Sequence, residues 1–221
     1  KQFINMEKIA EYAKGAIDVA SKVFDFFVAL VVSVYVLLQR RDILNFFKDL
    51  SRAMFKESTY KSLGRYFDRT NEIFFNFIAG QVLDGFVVGI ITSIAMSIMG
   101  VKYAVPLGFM IGLFNLIPYF GAIIAVVIAA LITFLTGGLT QAILMVVVVT
   151  ILQQIDANII NPKIIGNSLE ISPLLVIFAV TVGGAYMGVW GMFLAVPIIA
   201  VIKLFITDYI EYKNKIKQTQ E

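Results

Sequence analysis

Apolar and polar positions follow one another in long blocks along this chain. Over residues 1–22, charges mix with Ile4, Ile9, Tyr12, Ala16 and Val19 at helical spacing, which predicts an amphipathic lead-in. The first apolar run, residues 23–38, is shorter than the ~20 residues of a spanning helix. It is therefore expected to recruit the turn before it, where Asp18, Ser21 and Asp25 share one face and Asp25 lies near the span end. Residues 39–72 are charged, but Ile43, Phe46, Phe47, Leu50, Met54 and Phe55 recur every three or four positions, the mark of a helix lying on a membrane interface. Residues 73–99 form a second span. Its Gln81, Gly85, Gly89, Ser93 and Ser97 make one i+4 stripe on which another helix can approach closely, with Asp84 beside it near mid-span.

Beyond Gly100 the apolar pieces shorten. Residues 106–118 and 122–135 are joined by "IPYFG", and residues 173–182 and 192–206 by "GGAYMGVWG", with a further span predicted at 141–160. Each short piece rises only about 20 Å as a helix, too little for a ~30 Å hydrocarbon core. Two segments interrupted by Gly and Pro in corresponding places point to a transporter binding region. Pro106-Leu107 with Tyr119 and Gly121 matches Pro173-Leu174 with Tyr186 and Gly188 at one common offset, and Gln-x-x-Asp precedes each (Gln81 to Asp84, Gln153 to Asp156), which suggests an internal repeat.

The fold class expected is therefore an all-α, polytopic membrane protein. Its transport core covers residues 73–206 (73–99, 106–135, 141–160 and 173–206), with interrupted or re-entrant helices and a possible inverted repeat. The basic stretch 39–72 places that loop in the cytoplasm, and Lys213, Lys215 and Lys217 place the tail, 207–221, there too. Both ends are satisfied if 106–135 and 173–206 each cross, or if both are hairpins. Hairpins are preferred, with Gly137 outside and Asn167 inside.

Composition sharpens the class. Of 221 residues, 59% are hydrophobic and 15% charged, and the mean hydropathy is +0.87, far from the ~25% charged of a soluble domain. The lipid bilayer is thus a partner, in a multi-pass cell membrane such as a bacterial inner membrane. The 18 Lys plus Arg against 15 Asp plus Glu are a topology signal rather than a nucleic-acid surface. With no Cys and no His, disulfides, thiolate chemistry, Cys or His metal sites and imidazole relays are excluded, and no cofactor is expected. The start "KQFINMEKIA" has no initiator Met and no signal peptide, so a preceding part is expected to be missing.

Candidate chemistry gathers on two carboxylates. An aspartate at the centre of a membrane helix costs about 2.5–3.5 kcal/mol on insertion scales, so Asp84 and Asp156 need a return in function or pairing. Gln81, Gln153, Asn158 and Asn161 are the expected companions on a substrate or ion path, with Gln154 also near. Pro162 is expected to push Asn161 out of helical geometry and free backbone carbonyls. Pro118, Gly121, Pro162, Gly183 and Gly184 are the expected helix breaks lining the site. Asn115, three residues before Pro118, reads equally as a cap or a ligand. The competing readings are that these residues are interhelical glue, or that Gln153 to Asn167 has left the bilayer as a loop. No Gly-x-Gly-Asp protease motif, no serine–histidine pair and no Walker loop is present, so no enzyme is expected.

The blocks "GLFNLIPYFGAIIAVVIAAL", "LQQIDANIINPKIIGNSLEISPL" and "GGAYMGVWGMFLAVPIIAVIK" resemble the autoinducer-2 exporter family of mostly bacterial membrane proteins. The resemblance covers roughly residues 23–206. It departs at Ala122, where members often carry Pro. It implies a secondary transporter working without ATP on a small molecule or monovalent cation, coupled to protons or sodium, with three further spans upstream. It also implies a homo-oligomer, by family analogy a pentamer. Both furanone-signal export and sodium/proton antiport occur in the family. A non-transporting oligomeric scaffold is the rival from another class.

Overall fold

A computed structural model describes residues 6–165 and 171–220; the expectations resting on Ile4 and Asn167 lie outside them. The chain is helical and divides into two compact units, one up to Arg65 and one from Tyr66 onward. In the first, α1 runs unbroken from Met6 to Leu38. The lead-in and the first span are one helix, with no break at residue 22. A charge does not end a helix whose backbone groups are satisfied internally, and no Pro intervenes. The span Tyr12–Leu38 is long enough to cross, and Asp25 falls at its middle rather than near its end. After Gln39 the chain re-forms as α2, Arg40–Met54, whose Phe46, Phe47, Leu50 and Met54 stay exposed along one face.

The long helix α3, Glu57–Ile98, absorbs the end of the charged segment and the second span into one element, so nothing breaks at residue 72. It buries one stripe, including Gly80, Gln81, Asp84, Gly85, Val88, Gly89, Thr92 and Met96, and exposes Leu83, Phe86, Ile90 and Ile94 on the other side. A turn with left-handed Gly100 and Tyr103 leads into α4, Ala104–Phe114, which packs back along α3. The contact is backbone to backbone. A Cβ added to Gly85 would lie 2.7 Å from the Gly112 carbonyl oxygen, and one added to Gly108 would lie 2.6 Å from the Ser93 amide. The small-residue stripe thus meets small residues on α4, as close helix packing requires. Ser97 lies outside the contact, exposed, its hydroxyl donating to the Ser93 carbonyl.

Residues 115–119 turn the chain into α5, Phe120–Ile155. At Gly138 (φ 83°, ψ 177°) the helix reverses. Two ties show it. The Gln141 side chain donates to the carbonyls of Met99 (3.2 Å) and Gly100 (3.0 Å), while Asp156, after the second arm, bonds to Asn115 at the end of α4. So α4 and the two arms of α5 run to and fro between the same two levels, and the segment 106–135 returns to the level it left. Ala125 and Ala129 of one arm and Met145 and Val149 of the other are buried with Val88, Met96, Leu107 and Ile111 in one cluster.

A short helix α6, Asn161–Ile165, follows α5 by way of a π-turn, and the next helix, α7, Pro173–Gln220, reverses at Gly188 (φ 58°, ψ −141°). Gly183 and Gly191 then touch backbone to backbone across the two arms. The break therefore falls at Gly188. Gly183 and Gly184 are not breaks; they sit inside the first arm, where the absence of a side chain lets the arms approach. The second arm continues as helix past residue 206 and runs antiparallel to α3. Phe193 packs tilted against Phe77 (5.9 Å between centroids), Phe205 against Tyr66 (4.9 Å), and Arg69 pairs with Asp208 at 3.0 Å. By length and composition four stretches could cross a membrane, Tyr12–Leu38, Glu57–Ile98, Phe120–Ile164 and Pro173–Gln218. The last two contain the reversals, so their lengths do not count crossings.

The reversals make a prediction. Gly138→Ala and Gly188→Ala place a side chain where φ is positive, at a cost of order 1–3 kcal/mol, whereas Gly64→Ala lies in open helix and gains a few tenths. Both reversal variants should melt below wild type and below Gly64→Ala. A Gly188→Ala protein melting at or above the Gly64→Ala one would contradict the reversal.

Candidate functional site

Asp84 sits on the buried stripe of α3, roughly 20 Å along the helix from Arg69 and a similar rise from Ile98, halfway through the apolar stretch. It is fully buried, and Asp156 is only 6% exposed. Asn115, at the end of α4, joins them: its Nδ2 donates to Asp84 Oδ2 at 2.9 Å and to Asp156 Oδ2 at 3.2 Å. The carboxylates are thereby held within about 6 Å of each other. Gln81 Nε2 donates to the Asn115 carbonyl at 2.7 Å, and Asn161 Nδ2 donates to Asp84 Oδ2 at 3.2 Å. Three elements thus converge: α3, the tip after α4, and the turn that follows α5.

That turn is a π-helix, Asp156–Ile160, closed by the Asn161 N–H on the Asp156 carbonyl. With i→i+5 bonding, residues five apart come to lie one above the other, which sets Asp156 and Asn161 on one face. The widened turn also moves carbonyls away from the ring of Pro162, so Asn161 keeps helical angles (φ −57°, ψ −46°). The expectation that Pro162 forces Asn161 out of the helix is corrected: the extra residue is taken up one turn earlier. Pro162 itself stands exposed at the edge of the site.

The other expected residues divide. Gln153 is half-buried, and its Nε2 has no hydrogen-bond partner among the described residues; the same holds for the second oxygens of the carboxylates, Asp84 Oδ1 and Asp156 Oδ1. Asn158 is not brought to the carboxylates. It is exposed, and its amide donates to the Gln154 carbonyl at 2.7 Å. Pro118 and Gly121 shape the tip beyond Asn115, with Gly121 packed against the Phe114 carbonyl. Gly183 and Gly184 lie in the α7 hairpin, against Gly191 and Met192. The hairpins meet beside the tip: Ile117 shares an apolar cluster with Val180, Ala195 and Val196 of α7 and Phe77 of α3. Asn115, the hub, is the residue whose weight the sequence understated. Its signal is an amide placed just before a Pro break in an otherwise apolar helix.

The cluster offers carboxylate and amide oxygens, hard donors suited to small cations and polar solutes. Among the described residues no group of three or more acidic, His or Cys side chains could hold a metal ion.

The profile of the AI-2E family of transporters matches residues 2–211. The chain is 31% identical over 203 residues to YrrI of Bacillus subtilis (strain 168), covering 91% of this chain and 57% of that protein. It is 32% identical over 181 residues to YueF of the same organism, covering 82% and 43%. A Thermotoga maritima protein is 22% identical over 204 residues, covering 91% and 63%. All three are named as candidate transport proteins, and the chain spans about half the length of the two Bacillus relatives. With this match over nearly its whole length and its long apolar helices, the chain belongs to the AI-2E transporter family and is a multi-pass cell-membrane protein.

Proposed function

We propose that this chain forms the carrying core of a secondary transporter in which Asp84 and Asp156 together hold the coupling charge, a proton or a monovalent cation. The observation that carries this is the pair itself: two buried carboxylates whose bridged oxygens lie no more than about 6 Å apart, joined by one neutral amide. Two negative charges at that limit repel by about 3 kcal/mol at an effective dielectric of 20, and by more when closer. One positive charge between them turns repulsion into attraction. The compact arrangement favours a small ion over the furanone as the species seated there. In this proposal the α4–α5 and α7 hairpins enter the membrane from opposite faces as inverted copies and meet at the pair, and a homo-oligomeric frame holds α3 while they move. Asp25, at the middle of the α1 span, takes no part in it.

Flux into proteoliposomes should separate transport from scaffolding. Sodium, lithium, potassium and the furanone are compared under an imposed pH gradient. Gradient-driven uptake of at least one cation is expected. Absence of any gradient-driven flux would favour the scaffold.

A further inference from the structure

We infer that the Asn115 amide is a displaceable stand-in for the cation, and that its displacement is what releases the α4–α5 tip. The inference rests on the proposed role of the carboxylate pair and adds a mechanism to it. A single nitrogen, Asn115 Nδ2, donates to both Asp84 Oδ2 at 2.9 Å and Asp156 Oδ2 at 3.2 Å. The partly positive amide group occupies the position between the carboxylates where a positive charge is most favoured. A cation seated between these two oxygens needs the space that the amide nitrogen fills. Asp84 Oδ2 also accepts from Asn161 Nδ2 and has no lone pair to spare, so the cation competes with the amide. The second oxygens, Asp84 Oδ1 and Asp156 Oδ1, are buried and without a hydrogen-bond partner among the described residues, so they stand ready to complete a cation's shell.

The amide is also the side chain that ties the tip to both neighbours. Asn115 opens the turn 115–119, whose Tyr119 is left-handed and exposed, and its side chain bonds to α3 through Asp84 and to the π-turn through Asp156. What remains holding the tip is the Gln81 bond to the Asn115 carbonyl and the apolar seat of Ile117 beside Phe77 and Val180. Occupancy of the pair and freedom of the tip are therefore linked through one side chain.

Removing the competitor should strengthen cation binding while slowing transport, a split that a merely structural asparagine would not produce. The probe is sodium alone, measured by equilibrium binding of radioactive sodium to purified protein. Asn115→Ala should bind at least about threefold more tightly than wild type. Asn115→Ser, whose hydroxyl can donate to only one carboxylate, should fall between them. The chain has no cysteine, so Tyr119→Cys provides a reporter at the tip. Sodium should change its labelling rate by at least about threefold with Asn115 present and leave it unchanged with Asn115→Ala. Equal or weaker sodium binding by both variants would overturn the inference, as would the same sodium-dependent labelling without the amide. Failure of wild type to bind sodium would instead overturn the cation role of the pair, and this inference with it.

Discussion

Replacing Asp84 or Asp156 by Asn is expected to abolish coupled flux while leaving the protein folded. Asparagine keeps the shape of aspartate and an oxygen acceptor, so the bonds from Asn115 and Asn161 can be retained with the new amide turned suitably. What is lost is the charge. If the pair holds the coupling ion through an attraction of about 3 kcal/mol, flux should fall by about a hundredfold or more. Melting temperatures should stay near wild type. Asp84→Ala should be worse for stability, because it leaves a cavity and an unsatisfied amide. Wild-type flux in both asparagine variants would remove the carboxylates from coupling. Failure of both to fold would favour interhelical glue as their role.

The second large effect is expected where α3 meets α4. A Cβ on Gly112 would strike the Gly85 carbonyl and lie 2.8 Å from the Gly89 Cα, and one on Gly85 would lie 2.7 Å from the Gly112 carbonyl. Every one of these neighbours is backbone, so no side chain can rotate away. Gly85→Leu or Gly112→Leu should push the helices apart and cost at least the 1–3 kcal/mol typical of overpacking. The displacement would also move Asn115, three residues beyond Gly112, away from Asp84. Loss of thermal stability is expected, with Gly64→Leu, in open space, as the mild comparison. An unchanged melting profile for Gly85→Leu would mean that α4 does not pack there.

The polar positions were the most legible part of the sequence. Asp84 and Asp156 stood out because a carboxylate in an apolar run is costly, and the structure joins them through one amide. The Gly85 and Gly89 stripe was legible for the same reason: small residues at i+4 in a span have few other uses. Breaks were harder. "GGAYMG" holds three glycines of equal steric freedom, and only the geometry of the reversal selects Gly188, while Gly183 and Gly184 serve close approach. Pro162 read as a break because local rules give proline no means of staying in a helix. The π-turn supplies one, from an extra residue that composition does not mark. Composition changes near residues 22, 72 and 206, yet the helices run through all three, because hydropathy reports where lipid-like sequence stops, whereas hydrogen bonding carries the helix onward. Asn158 and Asn161 look alike in sequence. Only the helical register sends Asn161 to Asp84 and Asn158 to the surface.

The proposal that one positive charge is shared by the Asp84–Asp156 pair is tested most directly by mixing purified, weakly buffered protein with sodium and following a pH indicator. If proton and sodium occupy the same pair, sodium should release protons from the wild-type protein, and both Asp84→Asn and Asp156→Asn should lose that release. Undiminished release from both variants, or sodium binding to the wild type without any release, would contradict it.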